Sequence, residues 1–395
     1  MRFFILLICI FTIEASVLAK ESEVITIGEK LILHSDIIGE DRPLWIYVPE
    51  NVKANESLYV IYLLDGSEHF RTVSGIVQSL VDYEQIPKTM LVAIETTNRP
   101  RDFLPQVNGE PKTEFQKFVL SKWPNSGQSK FLKFIGQELI PFIDSQYSTY
   151  PHRTLIGHSN GGTLVLSALF NQPKLFNNYL AISPNGWWSH DETVENVKKL
   201  VSKDRTQENL FISVSGEGGR FYTGTLDLLG SMEQNKPTHL NWHFNHYPKR
   251  THMTGILPAV SEGLEYLFEE LNFKVTSEVV RYADVSTLVD YYEELSNKFG
   301  FKIPVPVDIY VEFAEQQQIN ERKQEALITL KQFVLDYPEK PYAHMRLAQG
   351  YMALTQFKKA KVSFEEALSY AKQQKREAAI LDALQDMLNE AKSKL

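Results

Sequence analysis

Apolar residues recur along this chain with two different periods, and the change from one to the other divides it. Between residues 22 and 272, short apolar runs alternate with stretches of helical spacing. Val24-Ile25-Thr26-Ile27, Leu31-Ile32-Leu33 and Leu44-Trp45-Ile46-Tyr47-Val48 read as strands. Leu58-Tyr59-Val60-Ile61-Tyr62-Leu63-Leu64 is a nearly continuous apolar run, as expected of a strand covered on both faces. It ends in Asp65-Gly66-Ser67, where a helix begins. The strand Met90-Leu91-Val92-Ala93-Ile94 leads into the polar loop Thr96 to Asp102, and an irregular section is expected to about Gly127. Insertions of that size at strand ends usually shape a substrate site. Phe131, Ile135, Leu139 and Phe142 then fall at helical spacing. Tyr179 to Ile182, Leu210 to Val214 and Leu240 to Tyr247 read as further strands, with helical patterns between them, and a helix from Ile256 to Leu271 closes the region. Strands alternating with helices predict an α/β fold with a mostly parallel sheet covered by helices.

Beyond about Lys274 the strands stop, and Glu, Lys, Gln, Ala and Leu dominate. An offset of 34 residues aligns Phe313 with Leu347, Ala314 with Ala348, Ala326 with Ala360, Leu330 with Phe364 and Phe333 with Ala367. The pattern is that of two tetratricopeptide-like repeats, with Pro338 where such a repeat commonly ends. It departs at Gln317, where a tyrosine is usual and Tyr351 stands in the second copy. Ile380, Leu384, Met387, Leu388 and Ala391 form one stripe on a last helix expected to cap the array. Two copies are few for an independent solenoid, so residues 283 to 300 are expected to add a helix or to pack on the first region. The expected organisation is a leader at 1–19, an α/β region at 20–274 and a small all-α helical-repeat domain at 275–395.

The leader follows from Met1-Arg2, the apolar stretch Phe3 to Ile13, and Val17-Leu18-Ala19, which together resemble a secretory signal cleaved after Ala19. The apolar run is short for an ordinary membrane span, and an uncleaved anchor is the other reading. The expected location is periplasmic or extracellular, without stable membrane insertion after cleavage. The only cysteine, Cys9, lies in the leader, so a mature chain has no disulfide and no thiolate metal site. A formal net charge of −8 with no basic block argues against nucleic-acid binding.

The chemistry centres on Gly157-His158-Ser159-Asn160-Gly161-Gly162, a G-x-S-x-G pattern between an apolar strand and a small-residue helix. A serine on such a turn projects above the sheet, and this predicts an α/β-hydrolase with Ser159 as nucleophile. The N–H of Asn160 at the helix start would hold an oxyanion, with a second donor at Gly66 or Ser67 after the strand ending at Leu64. A serine hydroxyl needs a base, and the chain order Ser, acid, His places it downstream. His252 fits best: it follows the strand ending near Tyr247 and precedes the last helix, whereas His190 comes too early and His344 lies in the repeats. Glu217, in the exit turn of the strand Leu210 to Val214, is the candidate acid, with Asp227 on the next helix competing.

These stretches, together with Tyr62-Leu63-Leu64-Asp65-Gly66, Asn98-Arg99-Pro100-Arg101-Asp102, Glu138-Leu139-Ile140-Pro141, Ser183-Pro184, Trp187-Trp188 and Thr251-His252, resemble the esterase D-like putative esterase family. The resemblance covers about residues 22 to 272. Its members include S-formylglutathione hydrolase, siderophore esterases such as enterobactin esterase, and carbohydrate acetyl and feruloyl esterases. It implies Ser159 as nucleophile, His252 as base and Glu217 as acid. Members similar to the periplasmic siderophore esterases work with a Ser-His pair alone, which leaves the need for Glu217 open.

For substrate binding, Arg99 and Arg101 offer fixed bidentate donors to an anionic or polyhydroxylated acyl group; their alternative is a salt bridge to Asp102 or Glu110. Trp187 and Trp188 read either as an aromatic wall for a sugar or catechol, or as a core plug. His239, His243 and His246 do not share one strand face, so no metal is expected, and no cofactor. The expected activity is that of a serine carboxylic ester hydrolase on a small-molecule or carbohydrate ester. Two readings compete: a scaffold that binds a protein or peptide through its helical repeats, and an acyltransferase using the same residues.

Overall fold

The computed structural model describes residues 24 to 395 except 51, 54, 55, 108, 187, 189 and 202–204, and no side chains of residues 190–192. The expected leader, with Cys9, therefore lies outside the described residues, as does Trp187. Among the described residues no helix is long and apolar enough to cross a membrane.

Eight strands form one sheet: β1 (Glu29–Ser35), β2 (Glu40–Tyr47), β3 (Leu58–Leu64), β4 (Thr89–Ile94), β5 (Thr149–His158), β6 (Asn178–Ile182), β7 (Glu208–Ser215) and β8 (Leu240–Tyr247). Their order is β1-β2-β4-β3-β5-β6-β7-β8. β2 pairs antiparallel with both β1 and β4, and every other pair is parallel. Parallel strands need crossovers, and the helices that supply them cover both faces. They are α1 (Gly66–Asp82), α2 (Arg99–Phe103), α3 (Glu114–Lys122), α4 (Gln128–Phe134), α5 (Ile140–Gln146), α6 (Asn160–Asn171), α7 (His190–Asn196), α8 (Gly219–Asn235) and α9 (Ile256–Leu267). A π-helical turn joins α4 to α5. Along β3, Leu58, Val60, Tyr62 and Leu64 pack with α4, α5 and α6, while Tyr59, Ile61 and Leu63 pack with α1 and α9.

Two expectations fail. Val24 to Ile27 form no strand; Val24 and Ile25 are 82% and 90% exposed, since β1 ends the sheet and offers them no partner. The section before Gly127 is not irregular throughout, because α2 and α3 occupy it. Asn98 caps α2, and a capping box between Thr113 and Gln116 starts α3.

The rest is helical: α10 (Ser277–Tyr282), α11 (Val285–Phe299), α12 (Val307–Ile319), α13 (Lys323–Asp336), α14 (Pro341–Ala353), α15 (Phe357–Gln373) and α16 (Ala378–Ser393). α14 starts 34 residues after α12, and α15 starts 34 after α13. All ten residues aligned at that offset are buried. Gln317 is buried too, and its Oε1 accepts from Thr329 Oγ1 at 2.8 Å. On α16, Leu384, Leu388 and Ala391 pack inward, while Ile380 stays 43% exposed.

The helical region does not stand apart from the sheet. One apolar core runs from Tyr47, Tyr59 and Ile61 through Phe268 and Leu271 to Tyr292, Phe299, Phe313 and Leu347. Tyr150 stacks on Phe301 with ring centroids 3.8 Å apart, and Phe299 lies 4.8 Å from His152. Tyr150 and His152 begin β5, whereas Ser159 follows its last residue. The helices thus join the sheet about 23–30 Å from that serine, at about 3.3 Å per strand residue.

Candidate active site

Ser159 sits between β5 and α6 with φ 60° and ψ −119°, a conformation that costs a non-glycine residue about 1–3 kcal/mol. The turn is held by Ser159 N–H donating to Ile182 O at 2.9 Å and by Thr163 N–H donating to Ser159 O at 3.1 Å. It also needs close backbone approach: a Cβ on Gly157 would fall 2.4 Å from Gly161 O. Ser159 is half-buried, while α6 behind it is buried from Asn160 to Phe170. Asn160 opens that helix, so its N–H is among the donors left without an intrahelical acceptor. Its side chain is fixed by Asn185, whose Nδ2 donates to Asn160 Oδ1 at 3.1 Å.

β3 lies beside β5 in parallel, so the start of α1 comes to the same end of the sheet as the start of α6. Gly66 and Ser67 are there, Gly66 buried and Ser67 exposed. The two turns touch: a Cβ on Gly161 would lie 3.3 Å from Asp65 Oδ2.

His252 and Glu217 come from the loops after β8 and β7. The loops are tied by Gly216 N–H donating to Arg250 O at 2.8 Å. His252 Nδ1 lies 2.7 Å from Glu217 Oε1. A carboxylate accepts, so Nδ1 carries the proton and Nε2 is left with a lone pair. Glu217 is 8% exposed at its side chain. Burial acts to raise its pKa, but the nearby Ser183 hydroxyl and the His252 imidazole outweigh it and hold the carboxyl below its ordinary value. Asp227 is exposed on α8, and it is Glu217 that meets the imidazole. The hydrogen bonds of His252 run to Glu217 and, through its carbonyl, to His158; none among those of the described residues joins it to Ser159. Such bonds often close only when substrate is bound.

Two residues near this centre were not singled out from the sequence. His158 is 3% exposed, its Nε2 is 2.9 Å from His252 O, and its ring centroid is 4.5 Å from that of His252. His69 of α1 lies against its other side at 5.5 Å. Burial, then the neighbouring His252 and His69, push the pKa of His158 down to about 3. Asp65, 4% exposed and in the left-handed region with φ 55°, receives both Nε and Nη2 of Arg99 at 2.9 and 3.0 Å. The same Nη2 donates to His158 O at 2.9 Å. The signal for Asp65 was its place at the end of a buried strand; its partner is 34 residues away.

The described residues expected to bind substrate are engaged within the chain. Arg99 pairs with Asp65, and neither Asp102 nor Glu110 is its partner. Arg101 spends Nε on Asp102 and Nη1 and Nη2 on Glu40. Arg42, fully buried, donates to Asp102 Oδ2 at 2.9 Å in the same network. Both arginines thus anchor the inserted segment to β2 and the β3 turn. Trp188 is 2% exposed, donates from Nε1 to Pro105 O at 2.9 Å and packs with Leu104, Val119 and Phe115. It is a plug under the inserted segment rather than a wall. His243 stacks on Phe211 and His246 lies against Tyr222; no group of three metal-ligating side chains occurs among the described residues.

The profile of the family described as "Putative esterase" matches residues 35–248. The chain is 25% identical over 161 residues to a siderophore enterobactin esterase of Emericella nidulans, covering 38% of this chain and 53% of that protein. It is 30% identical over 196 residues to the ferri-bacillibactin esterase BesA of Bacillus subtilis, covering 45% of this chain and 66% of that protein. The chain thus spans between half and two thirds of these relatives. Among solved structures, an IroE-like serine hydrolase from Shewanella oneidensis superposes with a TM-score of 0.62 at 27% identity, covering 76% of this chain and 98% of the other.

Proposed function

The chain belongs to the Putative esterase family, and from that membership we propose that it hydrolyses a carboxylic ester through an acyl-enzyme on Ser159. The observation that carries the reading is the 2.7 Å hydrogen bond between Glu217 and His252, beside a serine in a strained strand-to-helix turn. In this reading His252 Nε2 takes the Ser159 proton as Oγ bonds to the ester carbonyl carbon. The N–H of Asn160 and one from Gly66 or Ser67 hold the resulting oxyanion. The C–O bond to the alcohol breaks as His252 returns the proton to the leaving oxygen, and water then releases the acid by the same steps. Glu217 keeps the imidazole in the required tautomer and stabilises its charged form.

For the substrate we propose a siderophore-type ester, on the names of the two enzymes above. Secretion after removal of residues 1–19, a division into 20–274 and 275–395, and a protein or peptide partner for the tetratricopeptide-like helices belong to the same proposal. The 34-residue helix spacing supports the repeat reading, and the distance of the helices from Ser159 supports a partner role separate from catalysis. The test is labelling of the purified protein with a fluorophosphonate, followed by assays on siderophore, acetyl and feruloyl esters. Labelling of wild type and not of Ser159→Ala is expected. A folded wild type that resists labelling would overturn the reading.

A further inference from the structure

The residue before Ser159 makes a side-chain hydrogen bond that ties the elbow to the backbone of the His252 loop. A main-chain carbonyl can only accept, so the 2.9 Å contact between His158 Nε2 and His252 O requires a proton on His158 Nε2. We propose that His158 is a positioning residue: as a neutral donor it splints the His252 loop to the elbow, and so sets the approach of the His252 imidazole to Ser159. This rests on the esterase reading above.

Four observations support it. The residue is 3% exposed and its ring packs against two other imidazoles, His252 at 4.5 Å and His69 at 5.5 Å. Its own carbonyl is held by Arg99 Nη2, whose guanidinium is locked on Asp65, so main chain and side chain of one residue are both clamped. The groups facing it are His252 from the β8–α9 loop, His69 from α1 and Arg99 from α2; burial, His252, His69 and Arg99 all disfavour a positive charge on it. His158 is therefore held as a neutral imidazole. Finally, Glu217 fixes His252 at Nδ1 alone, and a ring held at one atom still swings; the carbonyl contact fixes the backbone from which the ring hangs.

The test compares His158→Leu, which fills the space without a donor, with His158→Gln, whose amide nitrogen reaches to about where Nε2 lies. Each is assayed below its melting temperature for fluorophosphonate labelling rate, kcat and KM. His158→Leu is expected to lose about 10- to 100-fold in labelling rate and kcat, as small misplacements of a reacting group do, with KM changed by less than about 2-fold. His158→Gln is expected to recover to within about 3-fold of wild type, the size of loss left when the donor is kept. Wild-type rates in folded His158→Leu, or equal losses in Leu and Gln variants, would overturn the inference. Should His158→Leu not fold, His158→Asn, with an amide too short to reach, takes its place. An unlabelled wild type would instead indict the esterase reading itself.

Discussion

The two ends of the sheet are built from opposite materials. At the Ser159 end the strands run out into loops held by polar contacts: Arg99 on Asp65, His252 on Glu217, Gly216 on Arg250. At the other end Tyr150, His152 and Phe268 meet Phe299 and Phe301 in a seam of packed rings. Directional bonds fix atoms at stated places, as proton transfer needs; a seam of rings resists separation but tolerates small shifts. The difference assigns chemistry to one end and cohesion to the other.

The sharpest way to break that division is at the serine. Ser159→Ala should lower hydrolysis of short acyl esters by about 10⁵-fold or more while leaving the melting temperature within a few degrees of wild type, checked by steady-state assay and circular dichroism. Glu217→Gln should lower kcat by about 10²- to 10⁴-fold with little change in KM. Near-wild-type turnover there would mean that Ser159 and His252 work as a pair. Phe299→Ala probes the seam: removing a buried ring should cost about 3–5 kcal/mol of stability in a denaturant titration, with kcat unchanged wherever the variant is folded. A folded Phe299→Ala protein with altered kcat would show the ends to be coupled. The smallest effect concerns the inserted segment. Hydrogen bonds from Arg101 bring the pKa of Glu40 from 4.5 to about 2. A carboxyl lowered on folding contributes stability that is complete above about pH 4.5 and lost as pH falls towards 2. Glu40→Gln should therefore flatten the fall in melting temperature across that window.

What was legible in the sequence divides along the same line. β3 has the bounds its apolar run predicts, because burial on both faces writes itself into composition; β8 has its expected bounds too, although Leu240 is its one buried residue. The turn at Ser159 and the contact of Glu217 with His252 lie where the sequence placed them, since the turn pattern and the order of strand ends are local features. Trp188 was ambiguous because an indole serves a wall or a plug equally well, and only the loop carrying Pro105 decides between them. His158 and Asp65 were invisible as participants. One bonds a carbonyl and the other a guanidinium, each far off in the chain, and no spacing rule records such partners. α3 was missed with its signal in view, the Thr113-x-x-Gln116 box.

The unbroken core bears on how such a chain is inherited. A recombination event joining a new tail at the proposed boundary after residue 274 would leave Tyr150, His152 and Phe268 without Phe299 and Phe301, the rings that lie against them. Halves that share a core cannot be exchanged as freely as beads on a string. Exchange of the outer helices α15 and α16, which keep a core of their own, would disturb less than exchange at the seam.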